Sequence, residues 1–247
     1  MFISHFGISI GMSPWKVLDT GRRSAKENMA IDSELLQKMK PSDPPILHLY
    51  EWEGDAATHG YFLDPGKYLD LAAAEKWGLS LARRPTGGGV IFHVSDLAFS
   101  VLVPADFPHF STNTLDNYDF INHRVKCGVK TLFEPELSLL SEEPSPLDEH
   151  CRNFCMAKPT QYDVMLGGRK IAGAAQRKQK QGYLHQGSIA IALPKEDFLN
   201  TILLPDTQVK EAMLQTTFSL LGREWAPNDL EEVRTLLKQQ LEKELTQ

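Results

Sequence analysis

Three consecutive glycines between apolar segments constrain this chain more than any other feature of its sequence. The stretch from Arg83 to Val103 reads RRPTGGGVIFHVSDLAFSVLV, with two arginines before the glycines and strand-like sequence after them. Glycine amides can approach a ligand closely, and consecutive amides can bind an anion. The segment matches neither G-x-G-x-x-G opening a helix nor a loop ending in G-K-[ST]. Two interpretations stay open: an anion-binding turn with charge from Arg83 or Arg84, and a turn imposed by tight strand packing.

A second glycine-rich segment favours the binding interpretation. Residues 167–191 read GGRKIAGAAQRKQKQGYLHQGSIAI. Their cationic side chains are those of Arg169, Lys170, Arg177, Lys178 and Lys180. A lysine on a strand beside a glycine loop can hold a carboxylate, or follow an oxyanion as charge moves during acyl transfer. The closely spaced charges of residues 177–180 are more typical of a solvated loop.

Composition and charge exclude several classes of protein. The chain has 247 residues, 42% of them hydrophobic, which is enough to bury a sizeable core. Its formal net charge of −6 argues against a general nucleic-acid or membrane-surface binder. No apolar run approaches the ~20 residues of a membrane-spanning helix, and residues 1–15 lack the features of a signal peptide. Three cysteines are too few for a disulfide framework, so we expect a reducing, cytoplasmic location.

The pattern of apolar residues predicts an α+β fold with a mixed, mostly antiparallel sheet flanked by helices, because strands and helices do not alternate as βαβ units. The predicted strands are WKVLDTG, ILHLYEW, THGYF, LAFSVLV, YDVML, RKIAGAAQ and YLHQGSIAIAL. Ser24 and Glu27 have capping-box spacing at the start of a helix. Further helices are predicted over residues 67–77, over 114–133, and in three segments near the end, the last beginning at Pro227. We expect one domain over residues 1–247, with 205–247 as a helical extension and 134–149 as an exposed connection.

Together these segments resemble the lipoate–protein ligase and octanoyltransferase branch of the biotin/lipoate ligase family. RRPTGGGVIFH resembles the family's first motif, and GRKIAGAAQ with LHQGSI resembles its second. DTGRRSAKENMAIDSELL resembles the family's first strand and helix. The resemblance implies the catalytic-domain fold of that family and a post-translational modification, the attachment of lipoate or octanoate to one lysine of a lipoyl domain. Such acceptors belong to the E2 subunits of 2-oxoacid dehydrogenase complexes and to the H protein of the glycine cleavage system.

The resemblance also implies roles for individual residues. Lys170 would act at the acyl carbonyl, and Arg84 would face the activated carboxylate or phosphate. The implied substrate- and nucleotide-binding residues are Arg84, Gly87, Gly88, Gly89, Val90, Ile91, Phe92, His93, Lys170 and His185. We expect His93 and His185 to be hydrogen-bonded scaffold residues rather than acid–base catalysts. The family has an acidic residue directly after the first of these histidines, where this chain has Val94, with Asp96 two positions later.

Two chemistries fit the resemblance. Our leading expectation is an ATP-dependent lipoate–protein ligase that forms lipoyl-AMP with ATP and Mg²⁺, since Gly89 would help the loop to admit a nucleotide. The alternative is an octanoyl or lipoyl transferase that works without ATP through a thioester at Cys155. The segment CMAKPTQYDVMLGGRKIAG resembles the part of these transferases that carries their cysteine. A free cysteine is also a common small buried residue, which is what we expect of Cys127.

Other interpretations have less support. A non-catalytic acyl-binding protein would not need both Arg84 and Lys170 at one acyl centre. A biotin ligase would carry a G-R-G-R-x-x-[RK] loop, and no segment matches it. Cys151 and Cys155 have no second ligand pair at zinc spacing, so we expect no metal site. On the first helix, Asn28 and Asp32 are expected to make core or capping hydrogen bonds, with a polar contact to the glycine loop as the alternative.

Overall fold

A mixed sheet forms the centre of the protein in the computed structural model, which describes residues 15–132, 136–222 and 225–246. In chain order the strands are β1 (Lys16–Arg23), β2 (Ile46–Trp52), β3 (Ala56–His59), β4 (Ser80–Arg83), β5 (Val90–His93), β6 (Asp96–Pro104), β7 (Leu137–Leu139), β8 (Val164–Leu166), β9 (Arg169–Gln179) and β10 (Gly182–Ala190). The α-helices are α1 (Ala25–Lys38), α2 (Leu71–Trp77), α3 (Thr114–Lys130), α4 (Glu196–Ile202), α5 (Val209–Thr216) and α6 (Pro227–Thr246). Short 3₁₀ turns lie at Pro65–Lys67 and Cys151–Asn153.

The topology confirms the predicted fold class. The large sheet has the order β1-β2-β6-β10-β9-β8-β7, and a smaller sheet has the order β4-β3-β5. In the large sheet β1 and β2 are parallel, whereas every other neighbouring pair is antiparallel. In the small sheet β3 runs parallel to β4 and antiparallel to β5. The glycine loop connects β4 to β5, and therefore lies at the edge of the small sheet.

The central strand β6 separates the apolar core from the side of the sheet that carries the polar groups. Every residue of β6 is buried. Because side chains alternate along a strand, Leu97, Phe99 and Val101 pack with α3 and α6 in the largest hydrophobic cluster. Ala98 faces the other way and packs with residues of α1 and the small sheet. The strand thus presents small and polar side chains on the face that carries the candidate site.

Local sequence signals set several element ends. Ser24 caps α1 as predicted: its Oγ accepts from the Glu27 amide at 3.3 Å, and the Glu27 carboxylate accepts from the Ser24 amide at 3.1 Å. Gly78 ends α2 in the left-handed conformation at φ 83°. The turn between β8 and β9 consists of Gly167 and Gly168, with φ values of 56° and 76°.

The structure corrects three of the predictions. THGYF is not a strand throughout, because β3 ends at His59 and the chain then turns, with the Tyr61 amide donating to the Thr86 carbonyl at 2.9 Å. The helix predicted over residues 67–77 begins only at Leu71, since the side chain of Asp70 caps it. Residues 177–179 belong to β9 rather than to a solvated loop.

Other expectations concern Cys127, the connection over residues 134–149 and the first residues of the chain. Cys127 is exposed rather than buried, because it lies on the outer face of α3. Within the predicted exposed connection, residues 137–139 form β7. The prediction about residues 1–14 lies outside the described residues. Among the helices described, none is both long enough and apolar enough to cross a membrane.

The C-terminal helices pack into the body of the protein. Leu230, Leu237, Leu241 and Leu245 of α6 belong to the same hydrophobic cluster as the central strands. Val209, Ala212 and Met213 of α5 pack with residues of the small sheet. We therefore propose that residues 205–247 are an integral extension of a single domain rather than the start of an accessory domain.

Two adjacent leucines of α6 test this proposal. Leu237 is fully buried, whereas Leu236 is 40% exposed. Leu237→Ala should lower the free energy of unfolding of the whole chain by about 2–5 kcal/mol through lost burial and a cavity. Leu236→Ala should change it by less than about 0.5 kcal/mol. Urea unfolding followed by tryptophan fluorescence would measure both, and a separate transition for α6 would contradict the single domain.

Candidate active site

A cavity of about 150 Å³ opens between the glycine loop, the segment 152–160, and strands β9 and β10. Seven of the residues predicted from the sequence line it: Arg84, Gly88, Gly89, Ile91, His93, Cys155 and Lys170. Apolar side chains from α1, β6 and β9 contribute to the remaining wall, among them Met29, Ala98 and Ala174. The cavity combines a cationic, sulfur-bearing mouth with an apolar interior.

The glycine loop closes around the guanidinium of Arg84. This side chain is 4% exposed, and its Nε and Nη2 donate to the Gly87 carbonyl at 3.1 and 2.8 Å. Its Nη1 lies 3.3 Å from the Thr58 carbonyl. Gly88 has φ 89°, and a Cβ at this position would lie 2.7 Å from Arg84 Nη2. Glycine is therefore required at Gly88 both by the backbone conformation and by the buried arginine.

Gly89 makes room for another part of the chain. A Cβ at Gly89 would lie 2.2 Å from the carbonyl oxygen of Asn153. Val90 forms a parallel bridge with Phe154, and the Cys155 amide donates to the Val90 carbonyl at 2.9 Å. The space beside Gly89 is filled by the backbone that leads to Cys155, so this glycine does not provide room for a nucleotide as we had expected.

Cys155 lies at the cavity, with its sulfur close to a buried cation. The Sγ atom is 3.6 Å from Arg84 Nη2. Within the described residues, Arg84 makes no ion pair with a carboxylate, since its other partners are neutral oxygens. A buried cation without an opposite charge is costly, so the cavity offers a place for an anionic group beside Arg84.

The neighbouring Cys151 has different surroundings. Its side chain is fully buried, and burial together with the nearby carboxyl of Asp148 raises the pKa of its thiol to about 11. It does not line the cavity. Of these two cysteines, Cys155 alone is placed to react with a ligand there.

Lys170 is buried beside Cys155 and paired with a carboxylate. Its Nζ lies 2.7 Å from Asp163 Oδ2 and donates to the Cys155 carbonyl at 2.8 Å. Asp163 also accepts from the Thr160 amide at 2.6 Å. Burial raises the pKa of Asp163, while the Lys170 ammonium opposes this effect. A Cβ on Gly173 would lie 2.3 Å from Lys170 Cε, so that glycine leaves the space through which the lysine passes.

His93 is hydrogen-bonded through both ring nitrogens, and its scaffold role stays a prediction. Its Nδ1 lies 2.8 Å from Asp96 Oδ2, and its Nε2 lies 2.9 Å from Thr58 Oγ1. In the neutral form it donates from Nδ1 and accepts at Nε2. Trp52 stacks on the ring at a centroid distance of 4.2 Å. Asp96 thus provides a carboxylate contact to His93 although Val94 follows the histidine directly.

A polar network lies beneath the loop and includes Asp32, one of the two α1 residues considered for a polar contact to the loop; the parts of Thr86 and Gln186 in it were not predicted from the sequence. Thr86 Oγ1 donates to Gln186 Oε1 at 2.7 Å, and Gln186 Nε2 donates to Asp32 Oδ2 at 2.6 Å. Asp32 also accepts from His48 at 2.8 Å and from Ser100 at 2.6 Å. Thr86 lies within the segment RRPTGGG and Gln186 within LHQGS, so the sequence motifs already contained these two residues of the network. The network connects the loop to α1 and the central strands.

Four predicted site residues do not line the cavity. Val90 and Phe92 alternate with Ile91 and His93 along β5, and so they face a hydrophobic cluster that contains Phe154. Gly87 contributes its carbonyl to Arg84, as described above. His185 is on the opposite face of β10, close to Phe99 and Tyr118. Whether these residues contribute to function stays a prediction.

The described residues contain no cluster of three or more histidine, cysteine, aspartate or glutamate side chains that could hold a metal ion. The expected absence of a metal site therefore remains an expectation about the chain as a whole. The cavity found here is lined by apolar side chains together with the sulfur of Cys155, the guanidinium of Arg84 and the amino group of Lys170.

Comparison with known proteins identifies relatives across most of the chain. A sequence profile for the lipoyl protein ligase A/B catalytic domain matches residues 24–217. The octanoyltransferase LipM of Moorella thermoacetica is 31% identical over 201 residues, which cover 81% of this chain and 73% of that protein. LipM of Bacillus subtilis is 30% identical over 203 residues, with 81% and 73% covered.

Solved structures share the fold. The bipartite lipoate protein ligase of Thermoplasma acidophilum has a TM-score of 0.68 at 21% identity, covering 94% of this chain and 84% of that one. A putative lipoate protein ligase from T. acidophilum with bound lipoic acid has a TM-score of 0.64 at 22% identity, covering 94% and 86%. At this level of identity the likeness shows the architecture alone.

These relatives overturn the leading expectation. An ATP-dependent lipoate–protein ligase is the wrong assignment, because the curated relatives that match most of the chain are octanoyltransferases. The structural reason is that Gly89, which had favoured a nucleotide, instead accommodates the backbone of Asn153.

Replacement of single glycines tests this account of the loop. Gly89→Ala should lower the free energy of unfolding by about 1–3 kcal/mol and displace the Cys155 segment, because the new methyl group overlaps the Asn153 carbonyl. Gly87→Ala is the matched control, since a Cβ there has no neighbour within 4 Å. Urea unfolding and the alkylation rate of Cys155 would measure the two effects. Equal results for both variants would contradict the tight contact at Gly89.

The burial of His185 makes stability depend on pH. Burial lowers the pKa of this side chain to about 3. In the unfolded chain the pKa is about 6.5, so the unfolded state binds a proton first as the pH falls. The contribution of neutral His185 to the free energy of unfolding is fully present above pH ~6.5. As the pH falls from ~6.5 to ~3, the free energy of unfolding decreases by on the order of 4 kcal/mol.

Urea unfolding of wild type and His185→Asn at a series of pH values would test this expectation. The difference in free energy of unfolding between the two proteins should shrink steadily as the pH falls from 7 to 4. A difference that stays constant over this range would show that His185 does not titrate differently in the two states.

Proposed function

The chain belongs to the lipoyl protein ligase A/B catalytic domain family, and we propose that it is an octanoyltransferase that works through a thioester at Cys155 without ATP. The observation that carries the proposal is the contact of Cys155 Sγ with the buried Arg84 guanidinium at 3.6 Å. A thiolate at this position supplies the opposite charge that Arg84 lacks. Thiolate, rather than thiol, is the nucleophilic form of cysteine.

The first half-reaction moves the acyl group from a thioester donor to the enzyme. The Cys155 thiolate attacks the carbonyl carbon of the octanoyl thioester, a new C–S bond forms, and the carbonyl π electrons move to the oxygen. The tetrahedral intermediate then collapses, the donor C–S bond breaks, and the donor leaves as a thiolate that takes a proton from water. Arg84 contacts the reacting sulfur and Lys170 contacts the Cys155 carbonyl; both line the cavity, and both can stabilise the negative charge on the oxygen.

The second half-reaction forms the amide. The amine of the acceptor lysine attacks the Cys155 thioester, a C–N bond forms, the C–S bond breaks, and Cys155 leaves as the thiolate. The amine proton passes to water at the open end of the cavity. Lys170 is paired with Asp163 at 2.7 Å and donates to the Cys155 carbonyl at 2.8 Å, and so we assign it to stabilising charge and fixing the Cys155 backbone.

The cavity fits a linear acyl chain. Its inner wall includes Met29, Ile91, Ala98 and Ala174, whose side chains are apolar. Burying apolar methylenes contributes ~0.8 kcal/mol for each CH₂ group, so an octanoyl chain gains affinity here along its length. The carbonyl end is left beside Cys155.

The substrates follow from this chemistry and from the family. The proposed donor is an octanoyl thioester of an acyl-carrier protein. The proposed acceptor is a lysine of a lipoyl domain in an E2 subunit of a 2-oxoacid dehydrogenase complex, or of the glycine cleavage H protein. A reducing, cytoplasmic location suits a cysteine that must remain free.

Replacement of Cys155 tests the function. Wild type mixed with octanoyl-carrier protein and a lipoyl domain, without ATP, should add one octanoyl group to the domain and form an octanoyl adduct on itself. Cys155→Ala and Cys155→Ser should reduce transfer about a thousandfold or more, because the covalent route is lost. Intact-protein mass spectrometry would detect both products. Cys127→Ala is the control, since Cys127 is an exposed cysteine on α3.

The opposite pattern would exclude this mechanism. Full transfer by Cys155→Ala would remove Cys155 as the nucleophile. Modification of the lipoyl domain without an octanoyl adduct on wild type, even at short reaction times, would indicate direct transfer between donor and acceptor.

A further inference from the structure

Two arginines stack on one tyrosine outside the mouth of the cavity. The guanidinium carbon of Arg83 lies 4.7 Å from the centre of the Tyr61 ring, and that of Arg177 lies 5.2 Å from it. Tyr61 is 40% exposed, so the cluster faces solvent. We call Tyr61, Arg83 and Arg177 the arginine–tyrosine cluster. None of the three has a role in the acyl transfer described above.

The cluster is held in place by the backbone around the glycine loop. The Tyr61 amide donates to the Thr86 carbonyl at 2.9 Å. Arg177 Nη1 donates to the Pro85 carbonyl at 3.1 Å. Stacking and these contacts fix the planes of the guanidinium groups, while several of their N–H donors remain unused by the contacts named here.

The positive charge of the cluster has no carboxylate partner among the residues that the structure describes. Ion pairs are found there for other arginines, such as Arg22 with Glu51 at 3.2 Å and Arg234 with Glu231 at 3.3 Å. Arg83 and Arg177 take part in none of the ion pairs within the described ranges. Two uncompensated, pre-positioned cations in a protein of net charge −6 indicate a site for an anionic ligand.

The cluster is adjacent to the cavity that contains the Cys155 sulfur. A Cβ on Gly88 would be 3.9 Å from both Cys155 Sγ and the Ala175 methyl group. Ala175 lines the cavity on β9. Arg177 follows two residues later on the same face of that strand, about 7 Å further along it. The cluster therefore lies within reach of a flexible ligand whose thioester is at Cys155.

We propose that the arginine–tyrosine cluster binds the phosphate ester of the acyl donor's pantetheine arm, an inference that rests on the proposed thioester chemistry. Thioester carriers of this kind present the acyl sulfur at one end of a flexible arm and a phosphate at the other. Arginine binds phosphate with paired, charge-assisted hydrogen bonds. The cluster thus selects the donor, while the cavity selects the acyl chain.

The test separates the contribution of the phosphate from that of the acyl chain. The probes are octanoyl-pantetheine and octanoyl-4′-phosphopantetheine, which differ only in the phosphate. Calorimetry with the Cys155→Ala protein measures their affinities without turnover, and kcat/KM for transfer to a lipoyl domain is measured with Cys155 intact. Octanoyl-coenzyme A and octanoyl-carrier protein form two further arms.

The expected results are ratios, so that any loss of folded protein cancels. The phosphorylated probe should bind at least about tenfold more tightly than the other. Arg83→Gln and Arg177→Gln should each reduce this ratio severalfold, and the double variant should bring it close to one. Tyr61→Leu, which keeps both charges, should reduce it less. Arg22→Gln on β1 is the matched control and should leave the ratio unchanged.

Each alternative result is informative. Equal affinities of the two probes for the parent protein would overturn the phosphate site, whether or not transfer occurs. If the double variant still prefers the phosphorylated probe, the phosphate site does not lie at the arginine–tyrosine cluster. If the arginine substitutions weaken the binding of octanoyl-carrier protein but not that of octanoyl-coenzyme A, the arginines contact the protein surface of the carrier instead. Absence of transfer from every donor, with the phosphate preference in binding intact, would contradict the proposed function but not the site.

Discussion

The candidate site depends on one contact between segments far apart in the sequence, the bridge of β5 with residues 153–155. The Cys155 amide donates to the Val90 carbonyl at 2.9 Å, and Gly89 lacks a side chain where Asn153 crosses it. Without this bridge the sulfur would not lie beside Arg84. A single close approach of two backbones therefore sets the position of the cavity wall, the placement of the Cys155 sulfur and the shape of the glycine loop.

Buried charge is the second constraint, because it must be compensated wherever it occurs. Lys170 and Asp163 lie together inside the protein, and removal of one partner from such a pair costs about 3–5 kcal/mol. Arg84 is equally buried but contacts neutral oxygens and a sulfur. The two cations therefore differ in their partners: Lys170 is paired with a carboxylate, whereas Arg84 has no carboxylate partner among the described residues.

Much of the fold could be predicted from local sequence, because capping, alternation and glycine turns act over a few residues. The capping box at Ser24 and the turn at Gly167 are examples. Sequence motifs also brought Arg84, Lys170 and Cys155 to attention. The contact of Gly89 with Asn153 could not be predicted, since no pattern links residues more than sixty positions apart, and a glycine that admits a nucleotide looks the same in sequence as one that admits a neighbouring chain. The network of Thr86 and Gln186 was missed because each residue alone is unremarkable within its motif.

The position of β6 at the middle of the sheet has a consequence for the order in which the protein folds. Its partner β2 precedes it, but its other partner β10 comes much later, and Ser100 must pair with Gln186. During synthesis at about 5–20 residues per second, one edge of this buried, largely apolar strand stays unpaired for on the order of 10 s. An open apolar edge can pair with other chains. The newly made chain is therefore most exposed to aggregation before β10 emerges, and substitutions that slow β10 pairing should reduce the yield of folded protein more than its final stability.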